Sequence, residues 1–123
     1  MANGFALNAE EVAIAKRVGV QSPESVRIMI VPRIPTPEAP CLQPLLIATN
    51  FTNMAGMTLG RGIYIASGHL TTRLLSHELR HAAQYEQFGS IDAFMAEYVS
   101  QVVRHGYVQS PLEIDARAHE IAN

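Results

Sequence analysis

Cysteine and tryptophan are almost missing from this sequence. Its 123 residues contain one cysteine and no tryptophan. A single cysteine cannot form an internal disulfide, and it excludes a zinc cluster built from several thiolates. Because Cys41 lies in a proline-rich stretch, residues 40–44, we interpret it as a small apolar residue and not as a reactive thiol.

Long basic runs and long apolar runs are also missing. The formal net charge is −2 at pH 7 and no cluster of lysine and arginine occurs, which argues against a nucleic-acid partner. No apolar run approaches the roughly 20 residues that cross a bilayer, so no membrane partner is expected. Residues 1–11 lack the basic and then apolar pattern of a signal peptide. We therefore expect a soluble, cytoplasmic protein.

The remaining composition is that of a folded domain. Apolar residues make up 48% of the chain and charged residues 16%, a balance typical of globular proteins. The length suits one domain, which we place at residues 1–123.

Local patterns in the N-terminal half predict one helix and a small mixed sheet. Asn8 caps a helix over residues 9–18, and Gly19 ends it. The β-branched segment 26–31 predicts a buried strand, and residues 45–49 a short one. Within residues 57–66, the segment 63–66 predicts a further strand, preceded by a bulge or turn at residues 60–62.

Three helices are predicted in the C-terminal half, separated by glycines. Thr71 or Thr72 caps the first, Ser90 caps the second, and Gly89 and Gly106 end them. Ser110, followed by proline and, three residues on, by glutamate, begins the third. Their extents are residues 72–88, 91–105 and about 111–122. The order of elements predicts an α+β fold.

The segment from His77 to His81 matches the H-E-x-x-H pattern and lies inside the first of these helices. Residues four apart differ by about 40° around a helix axis and about 6 Å along it. His77 and His81 therefore project from one face, and both imidazoles can reach one tetrahedral Zn²⁺ with room for another ligand and a water.

Glu78 lies beside that face and is the candidate general base. Zinc lowers the pKa of a bound water to about 7, and a neighbouring carboxylate can accept its proton and return it to a leaving amine. The alternative is a surface helix with two solvated histidines. Leu70, Leu74 and Phe88 share the side of the histidines, and this partly apolar face argues against that alternative.

A third protein ligand is required, and spacing along the chain does not choose it. The candidates are Glu86, Asp92, Glu97, Glu113, Asp115, Glu120, His69, His105 and His119.

From about residue 57 onward the chain resembles the gluzincin metallopeptidases, especially their small bacterial members. The resemblance depends on H-E-x-x-H, on Gln84-Tyr85 after it, and on the segment 111–116 with its Pro-Leu-Glu-x-Asp-Ala pattern. It implies a zincin-like fold with a strand, an active-site helix, a backing helix and a final helix that supplies a glutamate ligand.

Carried over to this sequence, the resemblance implies that Glu113 is the third zinc ligand. It also implies that Asp115 accepts the N–H of a ligating histidine, although gluzincins often place this aspartate four residues after the glutamate and here it follows by two. Each residue has a structural alternative. Glu113 can complete a capping box with Ser110, and Asp115 can act as a first-turn charge. Glu120 is expected to be a solvated helix residue.

A donor for the developing oxyanion is needed as well. Tyr107, just before the last helix, is our candidate catalytic residue; Tyr98, His105 and Arg80 are the other options. The strand Gly62–Ala66 is expected at the rim of the cleft, where a free edge would pair with an extended peptide.

The sequence thus predicts a zinc-dependent metallopeptidase that acts on peptides or proteins. One alternative is a catalytically inactive zincin-fold module that binds peptides or regulates a partner. The other is a structural helical domain in which the motif occurs by chance.

Overall fold

A mixed four-stranded sheet and four α-helices make up the part of the chain that the computed structural model describes, residues 4–32 and 55–122. The strands are β1 (Phe5–Ala6), β2 (Arg27–Val31), β3 (Gly56–Leu59) and β4 (Gly62–Ala66). The helices are α1 (Ala9–Arg17), α2 (Thr72–Phe88), α3 (Ile91–His105) and α4 (Pro111–Ala118). The α+β prediction is confirmed. Within these residues, no helix combines the length and hydropathy needed to span a bilayer.

Side-chain caps fix where α1, α2 and α3 begin, at residues that the sequence predicts. The Asn8 side chain accepts the Glu11 N–H at 2.9 Å, and the Glu11 carboxylate accepts the Asn8 N–H at 2.8 Å, which completes a capping box at α1. Thr71 caps α2 by accepting the Leu74 N–H at 3.1 Å. Ser90 does the same for α3, which has the predicted bounds.

The sheet has the order β1-β2-β4-β3. β2 and β4 are parallel, and the two outer strands pair antiparallel to them. β4 is therefore paired on both sides, so Gly62–Ala66 does not have the free edge that pairing with an extended peptide would require. Among the described residues β3 is the edge strand on that side. It is joined to β4 by a tight turn in which Gly60 has φ +61°, a conformation that favours glycine.

Three other details differ from the sequence predictions. The strands β1 and β3 were not predicted, and α4 ends at Ala118, about four residues early. The chain leaves the helix there, so that the Ile121 N–H donates to the buried Ser76 hydroxyl at 2.8 Å. The predicted strand at 45–49 and Cys41 lie outside the described residues.

The core lies between the sheet and α2. Ile28, Ile63 and Ile65 are completely buried on the sheet and pack in one cluster with Leu75 and Leu79 of α2. Burial of these side chains holds the H-E-x-x-H helix rigidly against the strands, which fixes the positions of its polar residues.

Candidate metal centre

Helix α2 carries the two histidines in its middle, where both are buried. The His77 and His81 rings lie 5.0 Å apart between centroids, at an interplanar angle of 73°. Only 9% of the His77 surface and 6% of the His81 surface is exposed. The solvated-histidine alternative therefore does not describe this helix.

Both rings direct Nε2 at the Glu113 carboxylate of α4. His77 Nε2 lies 3.1 Å from Glu113 Oε1. His81 Nε2 lies 3.3 Å from the same oxygen and 3.2 Å from Oε2. The Ser110 side chain forms no capping hydrogen bond with α4, so the capping-box alternative for Glu113 is wrong.

These distances suit one shared cation. Zn–N and Zn–O bonds of about 2.0–2.2 Å in a tetrahedron place neighbouring ligand atoms about 3.4 Å apart. The ligand atoms of His77, His81 and Glu113 all lie within 4.8 Å of one another, and all three residues are buried. The donor set of two imidazoles and one carboxylate leaves a tetrahedral position for water or substrate.

The second nitrogen of each ring is held by an acceptor. His77 Nδ1–H donates to Glu120 Oε2 at 2.8 Å, and His81 Nδ1–H donates to Gln84 Oε1 at 2.8 Å. The Gln84 amide is itself oriented, because its Nε2 donates to the Leu112 carbonyl at 3.0 Å and to Asp115 Oδ2 at 2.8 Å. With a proton on each Nδ1, both Nε2 lone pairs are available to a metal.

The residues around the rings differ from the sequence predictions in two places. Asp115 is not the acceptor for a ligating ring; it accepts from Arg80 Nε at 2.7 Å and reaches His81 only through Gln84. Glu120 lies beyond the end of α4 and binds His77, so the prediction of a solvated helix residue is wrong. The motif gave no signal for either role, because each depends on how α4 packs on α2.

The charges of the site favour a cation between the three side chains. Burial opposes protonation of both rings, yet hydrogen bonds and charge from Glu113 raise the pKa of His77 to about 9 and also raise the pKa of His81. Burial likewise opposes ionisation of Glu113, but the two histidines hold its pKa well below the usual range. Each Nδ1 already carries a proton that it donates to Glu120 or Gln84. Without a metal, both Nε2 atoms could therefore donate to Glu113 only if both rings were doubly protonated, which would place two imidazolium ions side by side. One divalent cation satisfies the same three groups without this repulsion.

Helix α3 supplies a further hydrogen bond to the third ligand. The Tyr98 hydroxyl donates to Glu113 Oε2 at 2.6 Å. Phe94 packs beside Tyr98. The centroid of the Phe94 ring lies 5.6 Å from that of Tyr98 and 6.3 Å from that of His81. This aromatic wall covers the inner side of the site. The sequence analysis named Tyr98 only as a candidate donor to the oxyanion. In the structure its hydroxyl donates to Glu113 instead.

Glu78 lies beside the ligands but points toward β3. Its carboxylate Oε1 accepts the Thr58 hydroxyl at 2.7 Å, and only 5% of its surface is exposed. A Cβ at Gly56 would lie 3.2 Å from both Cγ and Oε2 of Glu78. The close approach of β3 thus depends on glycine at this position.

A cleft of about 370 Å³ opens onto the site. His77, Glu78 and Tyr107 all line it, so the tyrosine faces the same cleft as the candidate base. The other oxyanion options lie elsewhere: Arg80 Nη1 donates to the Val18 carbonyl at 2.8 Å, and His105 is exposed at the end of α3.

The remaining candidate ligands have other environments. Glu86 accepts the backbone N–H groups of Gln21 and Ser22, and Glu97 pairs with Arg104. His119 Nδ1 donates to the Asp115 carbonyl at 2.8 Å, while His69 and Asp92 are exposed.

Comparison of the chain with protein-family models, with curated proteins and with solved structures finds no match. Any functional assignment therefore depends on the geometry of the site.

Proposed function

We propose that this protein is a zinc-dependent metallopeptidase with a zincin-like fold of the gluzincin type. The observation that carries the proposal is the convergence of His77 Nε2, His81 Nε2 and the Glu113 carboxylate, next to a glutamate that lines an open cleft. Buried charged groups brought together in this way are a frequent feature of functional sites.

In this proposal His77, His81 and Glu113 would hold Zn²⁺. When bound there, the ion would supply a water whose pKa is lowered to about 7 and a positive charge that polarises a carbonyl group. Glu78 accepts the proton of the attacking water and passes it to the leaving amine. The Tyr107 hydroxyl donates a hydrogen bond to the oxyanion that forms on the substrate. Thr58 and Gly56 keep the Glu78 carboxylate in place through the contacts described above.

The test combines metal analysis with one conservative substitution. Purified protein should contain one zinc per chain and cleave an unstructured protein substrate. Glu78→Gln should keep the zinc and lose cleavage by about 10²- to 10⁴-fold, the range typical of a removed general base. Glu24→Gln, at an exposed glutamate of the first half of the chain, is the matched control and should be as active as the parent.

Three results would count against the proposal. Equal cleavage by parent and Glu78→Gln would remove the proposed base. Zinc and peptide binding without cleavage of any substrate would favour the inactive, peptide-binding module. Absence of stoichiometric zinc, with an unchanged melting temperature in His77→Ala, would favour the structural domain.

A further inference from the structure

The two proposed histidine ligands have acceptors of different kinds on their second nitrogen. Nδ1 of His77 faces the carboxylate of Glu120, which lines the cleft, whereas Nδ1 of His81 faces the amide oxygen of the buried Gln84. A carboxylate only accepts, so it fixes which nitrogen of His77 carries a proton. An amide can present either its oxygen or its NH₂ group. It therefore fixes the tautomer of His81 only if the amide cannot turn around.

Two acceptors prevent the Gln84 amide from turning. Its Nε2 lies 3.0 Å from the Leu112 carbonyl oxygen and 2.8 Å from Asp115 Oδ2. A reversed amide would bring Oε1 against both of these oxygens and Nε2 against His81, which replaces hydrogen bonds of a buried side chain by repulsion. Oε1 therefore faces His81, and the ring carries its proton on Nδ1. Nε2 of the same ring is left without a proton and is directed toward the proposed metal position.

Asp115 is held in turn by Arg80, the residue just before His81 in the H-E-x-x-H segment. Arg80 Nε and Nη2 donate to the two carboxylate oxygens at 2.7 and 3.4 Å, and Nη1 donates to the Val18 carbonyl at the end of α1 at 2.8 Å. A planar guanidinium group bound on both sides restricts the carboxylate to one orientation. The side chain passes close to Gly19, where a Cβ would lie 2.8 Å from Nη1.

We propose that Gln84 is a positioning residue for the metal centre, and that Asp115 and Arg80 hold its amide in the orientation that the metal requires. These three side chains, the relay, connect the end of α1 to a ring nitrogen of His81. They preset the tautomer in which Nε2 can bind a cation. This inference rests on the metal site of the proposed function, but it does not require that the protein cleaves peptides.

The direct test replaces Gln84 by methionine, which has a similar length but lacks the amide. Gln84→Met should weaken zinc binding by about 10- to 100-fold, the range typical of a lost partner of a ligating histidine, as measured by competition with a chromophoric chelator. NMR of the ring nitrogens in zinc-loaded protein gives a second readout. The His81 Nδ1 proton should exchange slowly with solvent in the parent and rapidly in the variant. The His77 Nδ1 proton, held by Glu120, should be unchanged.

Gln101→Met is the matched control. Gln101 is also a buried glutamine, and its Oε1 accepts the Leu112 N–H at 2.9 Å, so it contacts the start of α4 as Gln84 does. Its amide nitrogen donates to Glu97. The control variant should lower the melting temperature and leave the exchange of the His81 proton as in the parent. Rapid exchange in the control would mean that any loosening of α4 releases the ring, and it would overturn the relay.

Substitutions at Asp115 test the second step of the relay. Asp115→Ala removes an acceptor of the Gln84 amide and should weaken zinc binding by about two- to tenfold, the effect of about one lost hydrogen bond. Asp115→Asn retains an oxygen that can accept from both Gln84 and Arg80, and it should restore most of the parent affinity. The Asp115 side chain is 35% exposed, so these variants provide the test even if Gln84→Met does not fold. Parent affinity in Asp115→Ala would remove Asp115 and Arg80 from the proposal.

These measurements separate failure of the relay from failure of the proposed function. A parent protein that binds zinc but cleaves no peptide would end the peptidase proposal, whereas the expected changes in Gln84→Met would still support the relay. Equal zinc affinities in the parent and Gln84→Met, or rapid exchange of the His77 and His81 protons together, would overturn the relay even if the parent is an active peptidase. A parent that binds no zinc would overturn both.

Discussion

At the scale of single residues, Glu113 has more polar contacts than any other proposed ligand. Oε1 faces both His77 and His81, while Oε2 also lies near His81 and accepts the Tyr98 hydroxyl. A carboxylate that is only 2% exposed requires such partners, because an unpaired buried charge is costly. The tyrosine also restrains rotation of the carboxylate, which keeps an oxygen aimed at the rings.

Tyr98→Phe should therefore weaken zinc binding while leaving the fold intact. Loss of a hydrogen bond to a metal ligand commonly lowers metal affinity by about 10- to 100-fold. Competition with a chromophoric chelator measures the change. Tyr64→Phe, at a partly buried tyrosine of β4, serves as the control and should bind zinc like the parent. Equal affinities in all three proteins would show that Tyr98 does not position Glu113.

The sequence identified some of these residues and missed others for a clear reason. His77 and His81 follow from the H-E-x-x-H pattern in a predicted helix, and the choice of Glu113 required the resemblance to gluzincins. Glu120 could not be assigned as a partner of His77, because that contact forms only when the segment after α4 packs against α2. Gln84 lies three residues after His81 on the same helix, a spacing that could have indicated the contact, although the Leu112 carbonyl after the next helix orients its amide.

At the scale of elements, the position of Glu78 depends on the contact between β3 and α2. Leu74 Cδ1 lies 3.3 Å and Glu78 Cγ lies 3.2 Å from where a Cβ at Gly56 would be. Contacts of this length are tighter than ordinary van der Waals distances, so even a methyl group would push the strand and the helix apart.

Gly56→Ala should reduce kcat by displacing the Glu78 carboxylate, by about tenfold or more, because misplaced catalytic groups lose much of their effect. Zinc content should be unchanged, since the three atoms nearest to a Cβ at Gly56 belong to Glu78 and Leu74 and not to a proposed ligand. Thr58→Val is the companion variant: it removes the hydroxyl that donates to Glu78 at 2.7 Å without adding bulk there. Full activity in Gly56→Ala would mean that the strand can move without cost.

Helices were easier to predict than strands in this chain. The bounds of α2 and α3 follow from caps and glycines that lie within a few residues of each end. β1 is only two residues long and exists through its pairing with β2, more than twenty residues later, so no local pattern reveals it. The central place of β4 depends in the same way on a parallel partner distant in sequence.

At the scale of the whole molecule, the proposed cation would join α2 to α4. Arg80 already connects these helices to the end of α1, through Asp115 at 2.7 Å and the Val18 carbonyl at 2.8 Å. A metal held by His77, His81 and Glu113 would add a second link between them. Since metal binding stabilises the folded state, occupancy of the site and stability should change together.

Zinc binding at this site should depend on pH, because protons compete with the ion for His77 and His81. In the ion-free protein, the contacts of protonated His77 stabilise the folded state. This stabilisation is fully present below pH 6.5, the ordinary pKa of histidine, and it is lost as the pH rises through the folded-state pKa of about 9. Zinc must displace that proton, so its apparent affinity should fall as pH decreases from about 9 to about 6.5. The expected slope is about tenfold per pH unit for each proton released. Because the pKa of His81 is raised too, two protons can contribute.

Zinc titrations at about pH 8.5 and about pH 6.5 measure this slope, within the window set by the pKa of His77. Calorimetry in two buffers of different ionisation enthalpy counts the protons released. His105→Gln, at the exposed end of α3, controls for histidines outside the site and should leave the slope unchanged. An affinity that stays constant across this range would mean that zinc does not compete with protons on the two rings, and it would separate the metal from His77 and His81 altogether.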